Sequence, residues 1–480
     1  MALARQAVLI GWAGRDITPE QPGVLAGQHY GRTSKFVHDP VTATALAISS
    51  ADEAERAVLV SIDAVGVADY TWRQAIAAIA EACPEISAAA VCLNATHTHS
   101  APGQHPRTYP IPEGAITPKA YSDFVAARVA EAVKEAWEVR QPGQIGWGLA
   151  HAAFAHNRIS LYSDGRAQMY GPTDTESFRG FQAGEESAVQ LIATTDEAGT
   201  LTGMIVNVAC PSQCSEHSEF ITADYWGDVR AELRRRHGKE LFILPQCAAA
   251  GDLSPHLRRH RRAEERMLRL QDALPTGEVD RGTFEMARRG VIARRIADAI
   301  DEMLPLVRGD LRKEVEFAHR CRTVDLPMRV VTQAERDNAA EKAAFHRETM
   351  AQLEPDPDNH EYTMHRTQAT RHERVAERHA NQGASPVLKM PLHAIRLGDV
   401  AIVTNRFELY HDYEARIEAR SPAVQTFVVQ LAGAGTYLPT RRAVAGASYG
   451  AGIESNLVGP DGGDVLVETS LDVINRLFQA

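Results

Sequence analysis

The stretch that decides the fold is AAAVCLNATHTHSAPG, residues Ala88–Gly103. It opens as a short apolar run, the pattern of a buried strand, and passes into polar and turn-forming residues. Side chains two apart on a strand point to one side, so His97 and His99 are expected to leave its end together. In open α/β sheets, ligands and metals gather at strand ends. The His-Thr-His triplet therefore reads as the seed of a metal site.

A chain of 480 residues can bury a large core, and 44% apolar with 24% charged residues is the composition of an ordinary soluble protein. The net charge of −11 argues against nucleic acid or an anionic membrane as partner. A small-molecule or amphiphilic substrate remains, and a homo-oligomer stays open. Met1–Gly14 holds one Arg and a short apolar run, without a signal-peptide core or cleavage site. No run approaches the ~20 apolar residues that span a bilayer. The six cysteines, Cys83, Cys92, Cys210, Cys214, Cys247 and Cys321, show no framework spacing. They are expected to be reduced, in a cytoplasmic protein.

Outward from the His-Thr-His stretch, Val8–Trp12, Thr42–Ile48 and Ala57–Ile62 read as strands and Tyr70–Cys83 as a helix with an apolar face. Thr117-Pro118 starts a helix expected to reach about Trp137. Strands at Ile145–Phe154 and Ser187–Thr194 flank a polar loop with His156-Asn157-Arg158. Met204–Val208 is a strand leading to Cys210-Pro211, Asp224–Arg236 a helix, and Leu241–Pro245 a strand opening into Cys247–Asp252. Helical regions follow at about Arg258–Leu304 and Gln333–Asn381, the second broken at Pro355–Asn359. The Arg258, Arg259, Arg261, Arg262 cluster, beside Glu264 and Glu265, reads as a solvated helix face. So does the face carrying His365, His372 and His379. A hairpin, Leu388–Leu397 and Val400–Thr404, delivers Phe407-Glu408; a strand at Thr426–Leu431 and a helix at Val465–Leu477 close the chain. Strands and helices alternate throughout, which predicts one large mixed-sheet α/β domain over residues 1–480, with the regions 258–304 and 333–381 as helical insertions.

In order along the chain, these stretches resemble the catalytic domain of the neutral/alkaline (non-lysosomal) ceramidases, zinc-dependent amidohydrolases. Thr96–Gly103 is similar to the family's T-H-T-H-S-G-P-G and Asn157-Arg158 to its N-R pair. Cys210-Pro211 with Ala223-Asp224 falls where the family has H-P and then S-D. Gly251–Pro255 is similar to G-D-V-S-P, and Phe407-Glu408 falls at its G-E-F. Tyr437 and Tyr449 match two family tyrosines at a similar separation. The resemblance implies a mixed-sheet α/β fold and a zinc ion held by His97, Glu408 and Tyr437, with His99, Arg158 and Tyr449 around the substrate carbonyl. It implies amide cleavage of an N-acyl compound by metal-activated water.

Two departures stand out. The family's second zinc-binding His aligns with Cys210, itself a good zinc ligand, with His217 nearby as the alternative. The family's Ser before G-D aligns with Ala248. Both departures, with the lack of a signal and of the family's C-terminal β-sandwich domain, count against ceramide itself as substrate. Three other readings stay open: a metal-dependent enzyme acting on a sugar or cyclitol by isomerisation or elimination, a non-catalytic binding protein with a degenerate site, and metal-free catalysis by Cys210 or Cys247 with His217 as base.

Overall fold

The apolar runs at Val8–Trp12, Thr42–Ile48 and Ala57–Ile62 are largely buried parts of three strands in the computed structural model, which describes residues 3–105 and 109–479. One leaf holds β1 (Arg5–Asp16), β2 (Thr42–Ser50), β3 (Arg56–Ile62), β4 (Val91–Ala95), β5 (Gln141–Asn157), β6 (Glu186–Asp196), β7 (Leu201–Val208) and β8 (Phe242–Cys247). Their spatial order is β8-β7-β6-β5-β1-β2-β3-β4. The other leaf is β9 (Glu314–Pro327), β10 (Val387–Leu397), β11 (Val400–Thr404) and β12 (Gln425–Val429), side by side in that order. Arg5–Ala7 of β1 pairs with Glu314–Glu316 of β9, and with Leu253–Ser254 added on β5 the leaves join as one 13-stranded mixed sheet.

The helices are α1 (Asp69–Ala82), α2 (Pro118–Glu138), α3 (Tyr225–His237), α4 (Arg261–Leu270), α5 (Arg281–Gly309), α6 (Gln333–Ala351), α7 (His360–Asn381) and α8 (His411–Arg420), followed by a last long helix at Pro460–Gln479. Ile79, Val129, Trp226 and Ile296 press α1, α2, α3 and α5 onto the outer face of the first leaf. Between the leaves, Leu46, Leu59 and Ile205 interdigitate with Phe317, Ile395 and Phe427. Tyr413, Ile417, Leu466 and Ile474 cover the second leaf from outside. The layers run helix, sheet, sheet, helix. Strands covered on both faces must be apolar on both, which is why they read as continuous runs rather than alternating ones.

Within this sheet three strand pairs are parallel, β3–β4, β7–β8 and β11–β12, and each is joined by one crossover helix, α1, α3 and α8. A parallel pair needs such a crossover, and both its strands then end at the same edge. The loops carrying Asp63, His97, Cys210, Gly251, Glu408 and Tyr437 all follow these ends.

Several expectations are corrected. The region 258–304 is two helices separated by residues 271–280, and Arg258 precedes the first. His156-Asn157 is strand, because it pairs with Leu253-Ser254. β9 was not anticipated at all. His365 and His372 are buried, because α6 packs over that face of α7 and brings His346 Nδ1 to 3.0 Å from His365 Nδ1. The six cysteines are free thiols. Among the described residues no helix is long and apolar enough to cross a membrane.

Asp63, at the end of β3, ties two of the crossover units together. It accepts from the Thr42 backbone N–H at 2.8 Å, from Thr96 Oγ1 at 3.2 Å, and from both Arg230 nitrogens of α3 at 2.8 and 3.1 Å. Both charges are buried. Arg230→Ala leaves the carboxylate unpaired and is expected to cost about 3–5 kcal/mol in urea unfolding; a loss below ~1 kcal/mol would contradict this role.

Candidate active site

β4 ends at Ala95, and His97 takes a left-handed backbone conformation with φ of 64°. His97 and His99 therefore do not converge by strand alternation, as expected, but through this turn, which leaves their Nε2 atoms 3.3 Å apart. A non-glycine residue in that conformation is strained and persists only where its surroundings hold it. Here the Val65 carbonyl oxygen accepts from His97 Nδ1 at 2.6 Å. With its proton on Nδ1, the ring presents the Nε2 lone pair to the site. Close approach on the other side needs Gly27, because a Cβ there would lie 2.3 Å from the His99 ring.

His97 Nε2 faces Glu408 Oε2 at 3.4 Å. Glu408 and Tyr437 are register partners in a short parallel ladder, Glu408–Leu409 with Tyr437–Leu438, which sets the Tyr437 hydroxyl beside the Glu408 carboxylate. Burial pushes the Glu408 carboxyl up, but His97, Arg158 and the Tyr437 hydroxyl outweigh it and hold the group below its usual range. Burial and the Glu408 charge drive the Tyr437 phenol well up. His97, Glu408 and Tyr437 thus turn one nitrogen and two kinds of oxygen donor toward one point. That set fits a borderline divalent ion such as zinc.

Arg158 is buried beside them. It donates to the Gly251 carbonyl at 2.9 Å, to Gln213 Oε1 at 3.0 Å and to the Tyr437 hydroxyl at 3.3 Å. Burial works against its charge, but Tyr437, Tyr170 and Glu408 overcome that and keep it protonated. Tyr449 sets its ring against Tyr437 with centroids 5.7 Å apart, and Arg371 lies over its other side at 4.9 Å. His99 Nε2 is 2.8 Å from Gln213 Nε2, and Nδ1 is 3.5 Å from Glu216 Oε2. Burial disfavours the charged form of the His99 ring and pushes its pKa well below the usual range.

Cys210 is not brought to this group. Its Sγ packs 3.9 Å from the Phe154 carbonyl and 3.7 Å from its neighbour Pro211's carbonyl, in the core. The Tyr225 hydroxyl donates to the Cys210 carbonyl at 2.6 Å and fixes that rotation of the loop. His217 stands one residue further out, its Nδ1 2.7 Å from the Tyr30 hydroxyl and its Nε2 3.6 Å from Glu216 Oε1. Burial pushes the thiols of Cys210 and Cys247 up, the second to about 12, so neither suits the cysteine-nucleophile reading. The Ala248 side chain is buried and its N–H bonds the Val208 carbonyl at 2.9 Å.

The loop after β7 supplies residues not anticipated from sequence, Gln213 and Glu216, and His256 follows the Gly251–Pro255 stretch. Glu216 links His99 to His256, 3.1 Å away, and His256 reaches Arg288 at 2.8 Å. Glu216, His256 and Arg288 line a cavity of about 660 Å³, together with Tyr170, Arg258 and Arg261. Arg258 is thus no solvated helix residue: its Nη2 donates to the Tyr170 and Gly171 carbonyls at 2.7 and 3.0 Å. Among the described residues, a different set, Cys92, His319 and His393, is the one trio of His, Cys, Asp or Glu with ligand atoms mutually within 4.8 Å, so a Cys/His/His cluster able to hold a metal exists away from this edge.

The solved structure of neutral ceramidase from Pseudomonas aeruginosa superposes with a TM-score of 0.69, over 98% of this chain and 75% of its own, at 18% identity. The fold is that of the neutral ceramidases. A second solved structure, a ceramidase complexed with C2, gives 0.68 over 98% and 76% of the two chains at 17% identity. No protein-family model and no curated protein matches the sequence. What is shared with the ceramidases is the arrangement of the backbone.

Below Glu408, α8 is anchored by charge. His411 N–H donates to Asp252 at 2.8 Å and Glu414 accepts from the Ala249 N–H at 2.9 Å. Asp252 also accepts from Asn157 at 3.2 Å. Burial and the nearby Glu414 and Glu186 push the Glu418 carboxyl up to about 8. A carboxyl raised on folding favours the native state while protonated, and that advantage is lost as pH rises from about 4.5 to about 8. Glu418→Gln is therefore expected to raise stability at pH 9 more than at pH 5, by at least about 1.4 kcal/mol, one pKa unit; equal effects at both pH values would contradict it.

At the site itself, Cys210→Ala is expected to retain bound metal after dialysis. His97→Ala and Glu408→Ala should each weaken it by ~100-fold or more. Equal loss in all three variants would place the Cys210 sulfur on the ion.

Proposed function

We propose that this chain acts as one catalytic domain, a zinc-dependent hydrolase of the neutral ceramidase-like kind that cleaves the amide bond of an N-acyl compound. The observation that carries the reading is the convergence of His97 Nε2, Glu408 and Tyr437, with Arg158 and His99 beside them, at one edge of this fold. Zinc held by those three residues would supply Lewis acidity, which lowers the pKa of water from ~15.7 towards ~7.

The protein's own groups fit the rest of an acyl transfer. Arg158 is charged, buried and held at Nη1 and Nη2 by four partners, Tyr170, Gln213, Gly251 and Tyr437, so its guanidinium is a fixed positive charge beside a carbonyl oxygen as it becomes an oxyanion, with Nε as its free donor. Tyr449, packed on Tyr437, would serve as a second donor. His99 is neutral and can take a proton at Nε2 and return it to the leaving nitrogen, while Glu216 near Nδ1 steadies the charged ring.

The cavity points to a polar substrate. Arg258, Arg288, His256 and Glu216 offer partners to hydroxyls and carboxylates, while Leu257, Val279 and Phe284 leave an apolar wall for the acyl group. The same lining favours, as a second reading, a metal-dependent isomerisation or elimination on a sugar or cyclitol.

Zinc-loaded protein should be assayed against polar N-acyl amino acids and amines, ceramide, and a panel of sugars and cyclitols. Hydrolysis of the polar N-acyl compounds is expected, with Arg158→Lys lowering kcat by about 10²–10³-fold. Turnover of sugars alone would replace this reading by the second. Binding without turnover of any compound would make the chain a binding protein.

A further inference from the structure

Away from the His97 edge, near the start of β4, three donors from three strands meet between the leaves. Cys92 comes from β4, His319 from β9 and His393 from β10. All three are buried, and the sulfur and one ring nitrogen of each histidine lie within 4.8 Å of one another. His319 Nε2 and His393 Nδ1 face each other at 3.1 Å. Two nitrogens bound at ~2.0–2.1 Å to one tetrahedral zinc stand about 3.3 Å apart.

The outer nitrogens of both rings are committed. His319 Nδ1 donates to the Arg56 carbonyl at 2.9 Å, and His393 Nε2 faces Cys321 Sγ at 3.8 Å, its register partner on β9. Ligating imidazoles are typically oriented in this way, with the second nitrogen held by a polar partner. A histidine–histidine hydrogen bond would explain the 3.1 Å contact alone, but not a thiol within reach of both rings.

We infer that Cys92, His319 and His393 form a second metal site, independent of the His97 centre, which takes a thiophilic d¹⁰ cation, Zn²⁺ or Cu⁺, and clasps the two leaves together. One thiolate and two imidazoles select such ions over calcium or magnesium. Cys92 binds as thiolate and both histidines bind neutral, so each ion taken up releases one proton to solvent. The exposed Cys321 marks the route by which the ion arrives. A bound ion cross-links residues about three hundred positions apart, closing a long loop of the unfolded chain and favouring the native state.

The full-length, metal-stripped protein is titrated with Co²⁺ while its absorption is recorded. A thiolate-to-cobalt charge-transfer band in the near ultraviolet is expected, lost in Cys92→Ser and in His393→Gln but kept in Cys210→Ala and His97→Ala. The last two variants separate this site from the proposed catalytic one, which can fail without affecting the band. Circular dichroism checks the fold of each variant, and Cys92→Ala replaces Cys92→Ser if the latter unfolds. A wild-type protein without the band, or a band undiminished without Cys92, overturns the site. Thermal unfolding with Zn²⁺ and with Cu⁺ then identifies the ion, as the one that raises Tm in wild type and not in the Cys92 variant. A Tm raised by neither overturns the clasp.

Discussion

The hydrogen bond between His97 Nδ1 and the Val65 carbonyl decides which ring nitrogen faces the site. Val65 belongs to the loop after β3 and His97 to the loop after β4, so the bond also locks two parallel strand ends together. It holds a left-handed residue in place, together with Ser212 Oγ on the Thr96 carbonyl at 2.8 Å and Thr98 Oγ1 on the Thr222 carbonyl at 2.9 Å. Glu408, Tyr437 and Arg158 are all arranged with respect to the nitrogen it leaves free.

That arrangement follows from topology more than from local sequence. Three parallel pairs, each with one crossover helix, send six loops to one edge of a two-leaved sheet. The loops are then braced by buried charge: Asp63 with Arg230 on one side, Asp252 and Glu414 under α8 on the other. Such pairs add little net stability but are costly to break, which makes them effective at fixing one geometry. The polar network from Arg158 through Gln213 and His99 to Glu216 and His256 extends this bracing into the cavity wall.

Much of the fold was legible in the chain because strands buried on both faces are continuous apolar runs, and helices interrupt them at regular intervals. β9 was not legible: several of its residues are charged and exposed, so it looks like neither a buried strand nor an amphipathic helix. His97 was marked by a sharp change from apolar to polar sequence. The same change occurs at Val208–Glu216, and it could have pointed to Gln213 and Glu216 had the cysteine not drawn attention first. The direction of the Cys210 side chain was beyond reach, since a tyrosine fifteen residues later sets it through a carbonyl. The burial of His365 and His372 depends on a second helix packing over them, which no pattern within their own helix reveals.

Anomalous X-ray diffraction at the zinc absorption edge, from crystals of protein prepared without chelator, tests the central claim most directly. The account predicts a peak at ~2.0–2.2 Å from His97 Nε2 and from a Glu408 oxygen, with Tyr437 as a further ligand and Cys210 still turned into the core. His97 and Glu408 free of any ion, at full metal content elsewhere in the molecule, would contradict it.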